Sequence, residues 1–117
     1  MRRVVITGMG MVSPLGVGVD YNWRRLTAGE SGLDKITRFD ASDITSQIAG
    51  MIPMSDSDTP PEGHFNVNLF VEPKEQKKMD TFITYALAAS QEAVEDSGWK
   101  PTDEESLCRT GVLVGSG

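Results

Sequence analysis

Between residues 73 and 97, Met79, Phe82, Ile83, Ala86, Ala89, Ala93 and Val94 recur at three- and four-residue steps, which predicts one helix with a continuous apolar stripe. Pro73 suits the first helical position, and Gly98 the position just past the last turn. Ala86, Ala88, Ala89, Ser90 and Ala93 are all small. Small side chains let another backbone come close, so this helix is expected to lie deep within a layered body.

The rest of the chain supplies elements for such layers. Val4-Val5-Ile6-Thr7 is a continuous β-branched run, and residues 3–12 are expected to form a strand buried on both faces. A second strand of this kind is expected over residues 110–114, running into Gly115-Ser116-Gly117. Between them, Asp20 is a candidate N-cap for a short helix carrying Trp23 and Leu26 on one face, with Gly29 placed to end it. Residues 46–52 suit a short strand that Gly50 weakens, and residues 53–63, rich in Asp, Ser and Pro, read as a surface loop. No internal repeat or linker divides the 117 residues. Strands and helices in this order need further layers on both sheet faces. The sequence is therefore expected to be part of a larger α/β fold.

Charge narrows the function classes. With 11 basic and 17 acidic residues the net charge is −6, a poor match for nucleic acid or an anionic membrane surface. One cysteine excludes an internal disulfide and fits a reducing compartment. No apolar run approaches signal-peptide or membrane-spanning length, so a cytoplasmic location is expected.

Several local patterns resemble sites and fail on inspection. Gly8-Met9-Gly10 follows a predicted strand, but Ser13 stands where a dinucleotide fingerprint needs its third glycine, and Pro14 follows. A tight structural turn is the expectation there. Asp56, Asp58, Glu62 and His64 cluster loosely, yet Pro60 and Pro61 occupy positions where a calcium loop needs a ligand and a glycine. His64 is the sole histidine and has no histidine partner. Cys108 precedes Arg109 without a local base, which suits a structural thiol near a strand start. Lys74, Lys77 and Lys78 differ from these. They crowd the opening turns of the predicted helix, where the macrodipole favours acidic side chains, and only Glu75 is spaced to pair with Lys78. In an acidic chain they form a local basic patch, suited to an anionic partner or to a solvated face.

Residues 2–16, Arg2-Arg3-Val4-Val5-Ile6-Thr7-Gly8-Met9-Gly10-Met11-Val12-Ser13-Pro14-Leu15-Gly16, resemble the opening of elongating beta-ketoacyl-ACP synthases, especially synthase II. Trp23 with Leu26-Thr27-Ala28-Gly29-Glu30-Ser31-Gly32, then Arg38-Phe39-Asp40, are similar to the following family segments. Lys74-Glu75-Gln76-Lys77-Lys78-Met79-Asp80 followed by Phe82 is the most specific stretch, and residues 111–117 resemble the family strand ending in Gly-Ser-Gly. The resemblance covers the chain, least closely over residues 45–71, which look longer than in many relatives.

The resemblance implies an α/β chain forming part of the N-terminal half of a thiolase-like, five-layer (α-β-α-β-α) fold, with residues 1–117 an incomplete N-terminal domain. It implies an acyltransferase of fatty-acid elongation that acts on acyl-ACP and malonyl-ACP, needs no cofactor or metal, and is a homodimer at full length. The family's catalytic cysteine and histidines lie downstream, so neither Cys108 nor His64 receives a role, and these residues alone are expected to be inactive. Lys74, Lys77 and Lys78 match basic positions of the family's docking surface for acyl carrier protein. Competing expectations are a non-catalytic carrier-binding fragment, and the same region of a synthase I, a polyketide ketosynthase or a chain-length factor. A Rossmann-type domain is disfavoured by Ser13-Pro14.

Overall fold

The computed structural model describes residues 1–115. Its elements run, in order, β1 (Val12–Ser13), β2 (Gly16–Val17), α1 (Val19–Thr27), β3 (Leu33–Lys35), β4 (Ile48–Gly50), a 3-10 turn (Val67–Leu69), α2 (Pro73–Gln76), α3 (Thr81–Ser97) and α4 (Glu104–Cys108).

Alanine and unbranched residues dominate α3, and Gly98 ends it in the left-handed conformation (φ 65°, ψ 10°). The expected single helix over 73–97 is broken, however. Asp80 adopts an extended N-cap backbone (φ −76°, ψ 160°), so α3 begins at Thr81 and the preceding residues form the separate turn α2. Pro73 does occupy the start of that turn.

The small-residue stripe does what its size permits. The backbone of residues 8–11 crosses α3 so closely that a Cβ on Gly10 would lie 1.8 Å from the Ala89 carbonyl oxygen, and one on Gly8 would lie 2.3 Å from that of Ala93. Gly8-Met9-Gly10 is thus a backbone-to-helix contact, not the tight turn its spacing suggested. Phe82, expected in this contact, lies on the same stripe as Ala89 but two turns nearer the start of α3, away from where residues 8–11 cross, and is exposed rather than packed.

Carboxylates on α3 fasten that segment. Glu92 Oε2 accepts from the Met11 amide (2.8 Å), Glu92 Oε1 from the Val19 amide (2.7 Å), and Asp96 Oδ2 from the Met9 amide (2.9 Å). One side chain thereby joins the entry to β1, the first residue of α1 and α3. Glu92→Ala is expected to lower stability by about 1–2 kcal/mol in a full-length protein carrying this chain, since two amides lose a charged acceptor. Glu92→Gln, which keeps one acceptor oxygen, should lose less. Denaturant midpoints measure both, and equal midpoints for all three proteins would show that water replaces the carboxylate at no cost.

Next to this junction β1 and β2 pair antiparallel, Val12 opposite Val17 and Ser13 opposite Gly16. Buried Asn22 of α1 closes the hairpin: its Nδ2 donates to the Gly16 (2.8 Å) and Gly18 (2.7 Å) carbonyls, and its Oδ1 accepts from Ser13 Oγ. The N-cap of α1 is Gly18, with Asp20 in the first turn rather than at the cap, and Gly29 follows the helix at φ 74°. Trp23 and Leu26 are both exposed, and the residues of α1's middle turns drawn out of solvent are Tyr21, Asn22 and Arg25.

The short strand expected over 46–52 forms as β4, antiparallel to β3 with Asp34 opposite Ala49. Gly50 suits it after all: Pro14 approaches so closely that a Cβ there would lie 2.7 Å from its Cγ. Phe65, fully buried, centres the main apolar cluster, stacked on Phe70 (centroids 5.5 Å apart) and edge-on to Tyr85 (4.9 Å).

The two expected outer strands are absent over most of their length. Residues 3–11 hold no strand, and neither do residues 110–115, while the Ser116-Gly117 end of the second lies outside the described residues. Val4 is 95% exposed and Leu113 100%. A strand exists only through its ladder, and no described segment pairs with either run. Cys108 correspondingly ends a short helix rather than preceding a strand, and is exposed. Asp103 caps that helix by accepting from the Ser106 amide (2.9 Å), a bond that holds the Asp103 carboxyl below its ordinary pKa. No helix among the described residues is long and apolar enough to cross a membrane.

Candidate functional site

Lys74 lies on α2, and Lys77 and Lys78 on the turn between α2 and α3. All three are exposed. The structure therefore brings them together on one short surface segment, though not on the opening turns of the long helix, because Asp80 starts a new helix after them. Their field comes from their own charges, without the α3 dipole directly beneath them. Lys78 Nζ pairs with Glu75 Oε1 at 2.6 Å, the i,i+3 pair that the spacing predicted. Among the described residues Lys74 and Lys77 form no ion pair, which leaves their ammonium groups open to an anionic partner.

What seats this segment was not legible from charge. Gln76 turns its amide inward and donates from Nε2 to Asn68 Oδ1 (2.9 Å) and to the Val71 carbonyl (2.8 Å). Gln76 and Met79, three residues apart, are the two residues of the segment drawn out of solvent, but their spacing does not tell what a glutamine there would bind.

The other candidate groups do not converge. His64 sits with Nδ1 3.4 Å from the Glu62 carbonyl oxygen, and Glu62 pairs with Arg24 at the surface. No group of three His, Cys, Asp or Glu side chains among the described residues is arranged to hold a metal ion. A cleft of about 510 Å³ between α1 and the β3–β4 hairpin carries Arg25 and Arg38. The Arg25 guanidinium is already engaged, donating to the Leu15 carbonyl and to Glu30 at 2.5 Å each. Glu30 holds the Arg25 pKa above its ordinary value through that bond.

Comparison with known proteins gives the family of the chain. The chain is 50% identical over 117 residues to a 3-oxoacyl-[acyl-carrier-protein] synthase 2 of Rhizobium meliloti, a match covering 100% of this chain and 27% of the relative. It is 40% identical to the protein of the same name from Vibrio cholerae over 116 residues, 99% of this chain and 25% of that one. The chain thus spans about a quarter of the length of these relatives. Among solved structures, the ishigamide ketosynthase/chain length factor superposes with a TM-score of 0.68 at 33% identity, covering 85% of this chain and 22% of that one. The likeness to a ketosynthase fixes the class as α/β and the fold as thiolase-like. Residues 1–117 match the model of the beta-ketoacyl synthase N-terminal domain along their whole length, and the chain belongs to that family.

Proposed function

We propose that this chain is the N-terminal part of a synthase II-type condensing enzyme, and that its own contribution to the reaction is to receive acyl carrier protein through Lys74, Lys77 and Lys78. The observation that carries the enzymatic reading is the 50% identity to a synthase 2 over every residue of the chain. In the reaction, an acyl group passes from its carrier to a cysteine thiolate supplied by the rest of the enzyme. Malonyl-ACP then loses carbon dioxide, and the carbanion left behind attacks the acyl thioester. A carbon–carbon bond forms, the cysteine thiolate departs, and the product leaves on the carrier two carbons longer. The complete enzyme is taken to be a homodimer.

The docking reading is supported by exposure, proximity and charge: three lysines share one short segment of a chain whose net charge is −6. Each exposed contact contributes only about 0.2–1 kcal/mol, less at high salt, and acts chiefly on encounter. Reversing all three lysines to glutamate in the full-length enzyme is expected to raise KM for acyl-ACP severalfold at low salt. Turnover of a small carrier-free thioester gauges the fold. Equal losses with both substrates would assign the lysines to folding, and unchanged carrier kinetics would make them a solvated face.

The likeness to a ketosynthase/chain length factor favours a second reading, a polyketide ketosynthase. Incubating the full-length protein with saturated or 3-oxoacyl primers and malonyl-ACP separates the two. Extension of the saturated primer, seen by mass spectrometry, supports the synthase II reading, and preference for the unreduced primer supports the other.

A further inference from the structure

A turn of four residues has too few internal hydrogen bonds to hold itself. In α2 the Glu75 and Gln76 amides both donate to the Glu72 carbonyl (2.9 and 3.1 Å), and Glu72 supplies no side-chain cap. Something outside the turn must fix it. Across residues 72–80 only Gln76 and Met79 are drawn out of solvent. Met79 holds loosely, bordering a cavity of about 200 Å³ beside Met54, Phe65 and Thr84. Gln76 holds firmly, spending both amide hydrogens on Asn68 Oδ1 and the Val71 carbonyl.

Those two acceptors are themselves anchored. The Asn68 amide donates to Asn66 Oδ1 (2.9 Å), and Asn66 Nδ2 donates to the Ser57 carbonyl (2.7 Å). Asn66 is 2% exposed and follows Phe65, the centre of the apolar cluster, while Val71 is buried at 7%. A continuous set of hydrogen bonds therefore runs from the best-packed residues of the chain, through Asn66 and Asn68, to the segment that carries the three lysines.

We propose that Gln76 is a positioning residue for carrier docking: through Asn68 and Val71 it fixes the turn that presents Lys74, Lys77 and Lys78 in one orientation to an acidic carrier protein. The proposal rests on the docking reading above and deepens it. Without those two hydrogen bonds the turn samples many orientations, and a partner then loses affinity in ordering it.

The test is a double-mutant cycle in a full-length synthase carrying this chain. Gln76→Met keeps the side-chain length and removes both donors. It is expected to raise KM for acyl-ACP about threefold, as a fraction of what exposed lysine contacts contribute, with the loss in KM rather than kcat. In a background where Lys74, Lys77 and Lys78 are all alanine, the same substitution should have no further effect on KM. That non-additivity is what a residue acting through the lysines must show, and a general structural role would penalise both backgrounds alike. An equal penalty in both, or no penalty beside intact lysines whose own removal raises KM, overturns the inference alone. If removing the lysines leaves KM unchanged, the docking reading falls and this inference falls with it.

Discussion

Produced by itself, the 117-residue chain is expected to be partly molten, prone to aggregate and inactive in condensation. A folded monomer of 12.7 kDa exposes about 6,200 Å² by the usual scaling with mass. This chain exposes 9430 Å². Its Cα radius of gyration is 17.1 Å, against about 13 Å for a well-packed domain of this length. At about 25 cal/mol per Å², failing to bury even 400 Å² of apolar surface forgoes about 10 kcal/mol, as much as the whole stability of many domains. Valines and isoleucine at positions 4–6 and the run Val112-Leu113-Val114 are the principal uncovered groups. Binding of a hydrophobic dye, poor amide dispersion and a broad thermal transition would bear this out. A sharp cooperative melt with well-dispersed amides would refute it.

Gly10→Ala should be the most damaging single-methyl change in the segment, removing more than about 3 kcal/mol of stability or abolishing soluble expression of the full-length protein. The added Cβ would sit 1.8 Å from the Ala89 carbonyl oxygen and 2.9 Å from the Ala93 amide nitrogen, both backbone atoms that no side-chain rotation can clear. Either α3 or the 8–11 segment must retreat, and retreat strains the carboxylate bonds from Glu92 and Asp96. Trimming the helix does not help, because the obstacle is a carbonyl rather than a methyl group. Gly10→Ala combined with Ala89→Gly is therefore expected to be no more stable than Gly10→Ala. Recovery in the double variant, read from denaturation midpoints, would mean that the contact is made by side chains.

Local signals were legible where the structure obeys local rules. Alanine content and Gly98 marked the body and end of α3, Ile48 and its neighbours marked β4, and the small residues at 89 and 93 announced a close backbone neighbour without saying that it would be Gly8 and Gly10. The break before Thr81 had its signal in Asp80, an N-cap type residue that was outweighed by apolar periodicity running through it. The short helix α4 was missed although Asp103 stands before Glu104 and Glu105, an ordinary start signal. Strands failed for a different reason. Val4-Val5-Ile6 and Val112-Leu113-Val114 carry strong β preference, but a ladder is a non-local bond, and these segments find no ladder partner among the described residues. At the candidate site, lysine positions were readable from charge and the Glu75–Lys78 pair from spacing. Gln76 was not, because a polar side chain does not declare from sequence whether it faces water or a carbonyl.

The carboxylates of Glu92 and Asp96 have a consequence for misassembly. An extended segment with free amides is a template on which a foreign strand can grow. Met9 and Met11, two residues apart, direct their amides to the same side, and both are occupied by acidic side chains reaching over from α3. A strand from another molecule attempting to extend along this edge meets no vacant donor at either position and is repelled by negative charge if it is acidic. Any growing ladder seeded on the bare Val4, Val5 and Ile6 is thus checked at Met9. The helix guards, from a distant part of the same chain, a segment in which Gly8 and Gly10 carry no side chains to shield it.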